Sequence, residues 1–181
     1  CIKNWILVRV TLDKILSQFF LLLIFVGVEE QPFLTYKLFI MTSSHDYKKD
    51  RRNDKIKIFV NGKFLDRNNA KISVFDSGFL LGDGVWSGIR LHNGKLLFLT
   101  EHLQRLYDDA KAISLKIHVN KKELTKYLIQ TVKKNKMLSD VHIRLIISRG
   151  IKSTPYQDPS FTISKPTIVI IPEYKKPDEK L

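Results

Sequence analysis

Two Asn-Gly pairs, Asn61-Gly62 and Asn93-Gly94, constrain this chain more than any other feature. Such a pair suits a two-residue type I′ turn, because both central positions need positive φ. Ile56, Ile58 and Val60 alternate into the first pair, and Val85 to Leu91 into the second. Return strands are expected around Lys63 to Leu65 and at Leu96 to Leu99, with another strand at Lys71 to Phe75. The region from residue 55 onward therefore reads as an antiparallel meander.

Helical spacing takes over after Leu99. Thr100 is placed to cap a helix, with Glu101 in its first turn. Leu103, Leu106, Tyr107, Ala110 and Ile113 recur at the spacing of one helix face, which should lie on the sheet. Asn120 followed by Glu123 forms a capping-box-like pair, and Leu124, Tyr127, Leu128 and Val132 line one side of the helix it opens. Strands return at Val141 to Ser148 and at Thr167 to Ile171. The expected class is α+β, a mostly antiparallel sheet with two helices packed on one face.

The first forty residues differ from the rest of the chain. Ile15 to Val28 is nearly all apolar, but about 14 helical residues span roughly 21 Å against a hydrocarbon core of ~30 Å. No small-residue cleavage site comes after it, which counts against a signal peptide. The expectation is that residues 1–40 are upstream sequence outside the native protein, that Met41 starts it, and that 41–54 form a flexible N-terminus.

Composition narrows the function classes. A single Cys, Cys1, excludes an internal disulfide framework and a cysteine metal cluster, and fits a cytoplasmic setting. The balance of 31 Lys+Arg against 18 Asp+Glu gives +13, which leaves a basic non-enzymatic nucleic-acid-binding domain as an alternative of another class. No zinc finger, helix-turn-helix or aromatic RNA-binding signature accompanies that charge, so neither a nucleic-acid nor a membrane partner is expected.

A resemblance then emerges from motifs in order. Phe59-Val60-Asn61-Gly62, Val74-Phe75-Asp76-Ser77-Gly78, Gly82-Asp83-Gly84-Val85-Trp86, Gly88-Ile89-Arg90, Asn93-Gly94-Lys95, Glu101-His102-Leu103, Arg105-Leu106-Tyr107, Ile143-Arg144-Leu145 and Ser148-Arg149-Gly150 together resemble the class IV aminotransferases. These are pyridoxal 5'-phosphate enzymes of the branched-chain and D-amino-acid aminotransferase type, together with aminodeoxychorismate lyase. The resemblance implies the small N-terminal domain of fold-type IV enzymes over 55–172, the start of an interdomain linker at 173–181, and a homodimer.

It also implies roles. Arg105, in the Glu-His-x-x-Arg-Leu stretch, would hold the cofactor phosphate; read without the family it is a solvated helix arginine. Trp86, Gly88 and Arg90 project to one face of their strand. That face would border the substrate, with Trp86 walling an apolar pocket, Gly88 leaving space beside the cofactor and Arg90 serving the substrate carboxylate. Core packing is the alternative for Trp86 and Gly88.

His142 and Arg144 form a second same-face pair, where branched-chain enzymes often carry Tyr-x-Arg for carboxylate recognition; the alternative is a surface pair on an edge strand. Tyr156 would anchor the loop Ile151 to Pro159, which reaches toward an active site. His102 and His118 read as structural.

Departures bear on specificity. Leu81 stands where branched-chain enzymes usually have Tyr, and no Arg-x-His pair comes after Arg149-Gly150, which weakens a D-alanine-type reading. The expected reaction is transfer of an amino group between a branched-chain L-amino acid and a 2-oxo acid, with D-amino-acid transfer or lyase chemistry as the alternative on this fold. In the family the Schiff-base lysine and the acid partner of the pyridine nitrogen lie in a second domain. No lysine here has the expected context, so the resemblance implies an N-terminal part that is inactive alone, its Schiff-base lysine lying beyond Leu181.

Overall fold

Both Asn-Gly turns form, with φ of 46° and 88° at Asn61 and Gly62 and of 47° and 73° at Asn93 and Gly94. They close two hairpins in a computed structural model that describes residues 49–176, so the expectations for 1–48 and 177–181 lie outside the described residues. The first hairpin joins β1 (Lys57–Val60) to β2 (Lys63–Asp66), and the second joins β3 (Gly84–His92) to β4 (Lys95–Leu96). β5 (Val141–Ser148) and β6 (Thr167–Tyr174) complete a six-stranded antiparallel sheet in the order β2-β1-β6-β5-β3-β4.

The meander expectation is therefore corrected. The hairpins stand at opposite margins, and the two late strands fill the gap between them. The α+β class holds.

Among the described residues three α-helices accompany the sheet: α1 (Ser77–Leu81), α2 (Leu99–Ala112) and α3 (Lys121–Lys134). The helical spacing is realised for Leu103, Leu106 and Ala110 of α2 and Leu124 and Leu128 of α3, which are buried, but not for Ile113, which lies just past the end of α2 and is exposed. The buried side chains meet Phe59, Val85, Ile89, Leu91, Ile143, Leu145, Ile147, Ile168 and Ile170 in one core. At about 1.5–3 kcal/mol for each large aliphatic side chain removed from water, this layer is the main source of stability. Asn120 caps α3 as expected, its side chain accepting from the Glu123 amide at 2.9 Å.

Several local expectations fail for identifiable reasons. Residues 71–75 form no strand; Ile72, Val74 and Phe75 stay exposed, and an apolar alternation without a neighbouring strand has nothing to pair with. β4 stops at Leu96 because Phe98 turns left-handed, φ 49°, and α2 already starts at Leu99 with no side-chain cap. Thr100 lies inside the first turn.

The N-terminal stretch is docked rather than flexible from Arg51, where a short 3-10 turn (Arg51–Lys55) buries Asn53. The Asn53 amide donates to the Tyr174 carbonyl at 3.1 Å and accepts from the Tyr174 amide at 2.8 Å, and β6 extends past the expected Ile171 to Tyr174. Among the described residues no helix is long and apolar enough to cross a membrane, and no His/Cys/Asp/Glu cluster is suited to a metal.

Candidate active site

β5 pairs along its whole length with Gly84 to Leu91 of β3, with Trp86 opposite Ile146, Gly88 opposite Arg144 and Arg90 opposite His142. Paired residues share a face, and the period of two sends Val85, Ser87, Ile89 and Leu91 under the helices. Trp86, Gly88, Arg90, His142 and Arg144 thus stand together on the opposite face. β5 lies between β3 and β6, so His142 and Arg144 are not a pair on an edge strand.

Contacts on this face are close. The Arg144 guanidinium carbon sits 4.2 Å from the centroid of the Trp86 ring, a cation–π stack typically contributing about 0.5–1 kcal/mol where solvent reaches it. Trp86 is 55% exposed, which sets aside core packing as its role. Arg90 donates to the Lys175 backbone carbonyl and forms no salt bridge among the described residues.

The space expected above Gly88 is filled. A Cβ there would come within 2.7 Å of His142 Nε2 and 3.3 Å of its Cε1, so Gly88 makes room for an imidazole of this chain. Burial, then the positive charges of Arg90, Arg144 and Lys175, pushes His142 below its ordinary pKa, with Glu173 opposing.

Arg105 lies elsewhere. Its Nη2 is 3.5 Å from Ser87 Oγ, and that hydroxyl is 3.1 Å from His102 Nδ1. Ser87 points under the helices, between Trp86 and Gly88 which point away. Arg105 and the strand residues therefore share no single surface: the two groups occupy opposite faces of β3. On the outer edge of β3, β4 pairs only with Leu91 and His92. From Gly84 to Ile89 that edge has no strand partner among the described residues.

Ser87 is the residue that sequence reasoning missed, and His102, read as structural, is its partner. The available signal was a hydroxyl among the aliphatics of an inner strand face, where a polar group needs a partner.

Behind this edge, Arg149 grips Asp83 through two bonds of 2.6 and 3.0 Å and donates to the carbonyls of Ile113 and Ser114. It ties the residues after α1 to the end of α2 and to β5. Ser148 donates to Asp76 at 2.9 Å, the carboxylate that also caps α1. In the next loop the buried Lys152 amine donates to the Asp158 carbonyl at 2.9 Å. Tyr156 is exposed and packs edge-to-face on Phe161 at 5.6 Å; the structure does not bring it into the strand-face cluster.

Comparison with known proteins decides what this arrangement belongs to. The family model described as Amino-transferase class IV matches residues 84–180, which include β3, both long helices, β5 and β6. This chain belongs to the class IV aminotransferases. A "Putative branched-chain-amino-acid aminotransferase" of Methanocaldococcus jannaschii is 44% identical over 116 residues, covering 64% of this chain and 39% of that protein. A D-alanine aminotransferase of Staphylococcus haemolyticus is 30% identical over 125 residues, covering 69% of this chain and 44% of that one. The branched-chain aminotransferase of Thermoproteus uzoniensis, solved with norvaline, superposes with a TM-score of 0.55 at 28% identity, over 65% of this chain and 40% of that one. The class IV aminotransferase chain thus spans about two fifths of these three relatives.

Enzymes of this family depend on pyridoxal 5'-phosphate. Another solved branched-chain amino acid aminotransferase, 24% identical and with a TM-score of 0.58, holds N-(5'-phosphopyridoxyl)-L-glutamate. Residues here fit such a phosphate: Arg105 is exposed, forms no salt bridge among the described residues, and stands beside the open edge of β3. A guanidinium offers paired, charge-assisted donors in one plane, the geometry a phosphate accepts.

Proposed function

We propose that this chain supplies the substrate wall and phosphate arginine of an enzyme transferring an amino group between a branched-chain L-amino acid and a 2-oxo acid. Bound pyridoxal phosphate supplies the electron sink for that chemistry. The supporting observation is the registered β3–β5 face, where an exposed aromatic, two guanidiniums and an imidazole meet beside an open strand edge. Trp86 offers an apolar surface to an aliphatic side chain, while Arg144 and Arg90 offer charge to carboxylates. Arg105 holds the cofactor phosphate from the helix side of β3, with Ser87 and His102 fixing its approach. Tyr156 belongs to a loop that serves a neighbouring subunit, which makes the active form a homodimer.

None of the lysines of these 181 residues stands in the family's Schiff-base context. The chain therefore binds and orients rather than moving the proton, and is inactive alone. A cytoplasmic setting is part of this proposal; a lone cysteine is compatible with it.

The test is amino transfer by the complete gene product with L-leucine, L-glutamate or D-alanine as donor. L-Leucine and L-glutamate should be used at rates at least tenfold above D-alanine. Exclusive use of D-alanine, or no transfer, would overturn the reading.

A further inference from the structure

We propose that Arg90, His142 and Arg144 form an anion site that takes up a proton when a carboxylate ligand binds, with the His142 imidazole as acceptor of that proton. This rests on the reading of the strand face as the carboxylate side of the substrate site and adds a regulation of it.

The placement of His142 carries the inference. Its ring overlies Gly88, its Cα faces that of Arg90 across the β3–β5 pair, and Arg144 is two residues along the same strand. On the other side it faces Glu173 of β6, whose carboxylate is engaged by Arg67 at 3.1 Å. Lys175, just past β6, adds a further positive charge and already holds Arg90 through its carbonyl. Two guanidiniums and an ammonium therefore surround His142 against one carboxylate bound to another arginine.

Neither Arg90 nor Arg144 forms a salt bridge among the described residues. Arg144 rests on the Trp86 ring instead, the position of a cation held on a π face until an anion competes for it.

In the free protein, burial and then three neighbouring cations lower the pKa of the imidazole and disfavour its charged form, with Glu173 opposing. An anion seated between the guanidiniums cancels that repulsion and gives an imidazolium N–H an acceptor. Protein, carboxylate and one solvent proton then combine, with no bond formed or broken except N–H. By linkage, each pH unit by which ligand raises the His142 midpoint equals a tenfold gain in affinity at low over high pH.

The experiment follows the His142 Cε1–H resonance of the 181-residue chain against pH, without and with saturating glutarate. Glutarate affinity is measured at pH 5.5 and 8 for wild type, His142→Gln and Arg144→Gln. We expect a free midpoint below the usual ~6.5, raised by at least one pH unit with glutarate. Affinity should fall several-fold between the two pH values in wild type, since pH 5.5 samples only part of the linkage, and stay level in His142→Gln.

An unchanged midpoint or pH-independent affinity would overturn the proton uptake alone. No binding, or undiminished binding to Arg144→Gln, would remove the carboxylate reading of the face along with it. Should His142→Gln fail to fold, the wild-type midpoint decides.

Discussion

Replacing Gly88 by alanine separates a glycine kept for a ligand from one kept for His142. The added Cβ would stand 2.7 Å from His142 Nε2, 3.3 Å from Cε1 and 3.9 Å from Cδ2. Ordinary carbon contacts lie near 3.5–4.0 Å, so the ring must give way by most of an ångström. Arg90 is the registered partner of His142 across the strand pair, and Arg144 stands two residues along the same strand. Overpacking of this kind costs about 1–3 kcal/mol, while alanine in place of a strand glycine returns about 0.5–1 kcal/mol. The single variant should therefore lose about 0.5–2 kcal/mol. In a His142→Ala background the same change should be neutral or stabilising, giving a coupling of about 1–3 kcal/mol. Urea unfolding of the four proteins, with unchanged m-values as the check on comparability, measures it. Additivity within about 0.5 kcal/mol would refute the close packing of ring on glycine.

Other consequences are as direct. Arg149→Ala should cost about 3–5 kcal/mol in chemical denaturation, because it strands a carboxylate whose side chain is only 18% exposed; Asp83→Asn should cost less, since its amide oxygen still accepts one guanidinium bond. Asn53→Ala removes both side-chain bonds to Tyr174 and should cost about 1–3 kcal/mol, with faster amide exchange confined to the end of β6. Because folding depresses the His142 pKa, the unfolded chain binds more protons in the window just below its ordinary pKa of about 6.5. Stability should be fully present above that value and lost as pH falls through the lower folded value. Thermal melts of His142→Gln should show a shallower pH slope across that window, and an identical slope would count against the burial of the ring.

How far the sequence was legible depends on whether a signal is local. Asn61-Gly62, Asn93-Gly94 and Asn120 each dictate a turn or cap through their own backbone or side chain, and all three form as expected. The period of two correctly grouped Trp86 with Gly88 and Arg90, and His142 with Arg144. The alternation alone could not place the two groups side by side, because that depends on β5 inserting between distant hairpins. Nor could it show which face Arg105 approaches: a helix position fixes direction only once the helix is docked. The strand expected at 71–75 failed for the same cause, since Ile72 and Val74 carry strand propensity and no neighbour uses it. Ser87 faces the helices between two residues that face away, and its role shows only once α2 sets His102 and Arg105 around it.

The central claim is that Arg105 anchors the phosphate of a vitamin B6 cofactor beside the open edge of β3. Pyridoxamine 5'-phosphate tests it most directly, because it carries no aldehyde to react with surface lysines. Its affinity should fall at least tenfold in Arg105→Gln while glutarate binding at Arg144 is unchanged. Equal affinity of wild type and Arg105→Gln for pyridoxamine 5'-phosphate would contradict the claim.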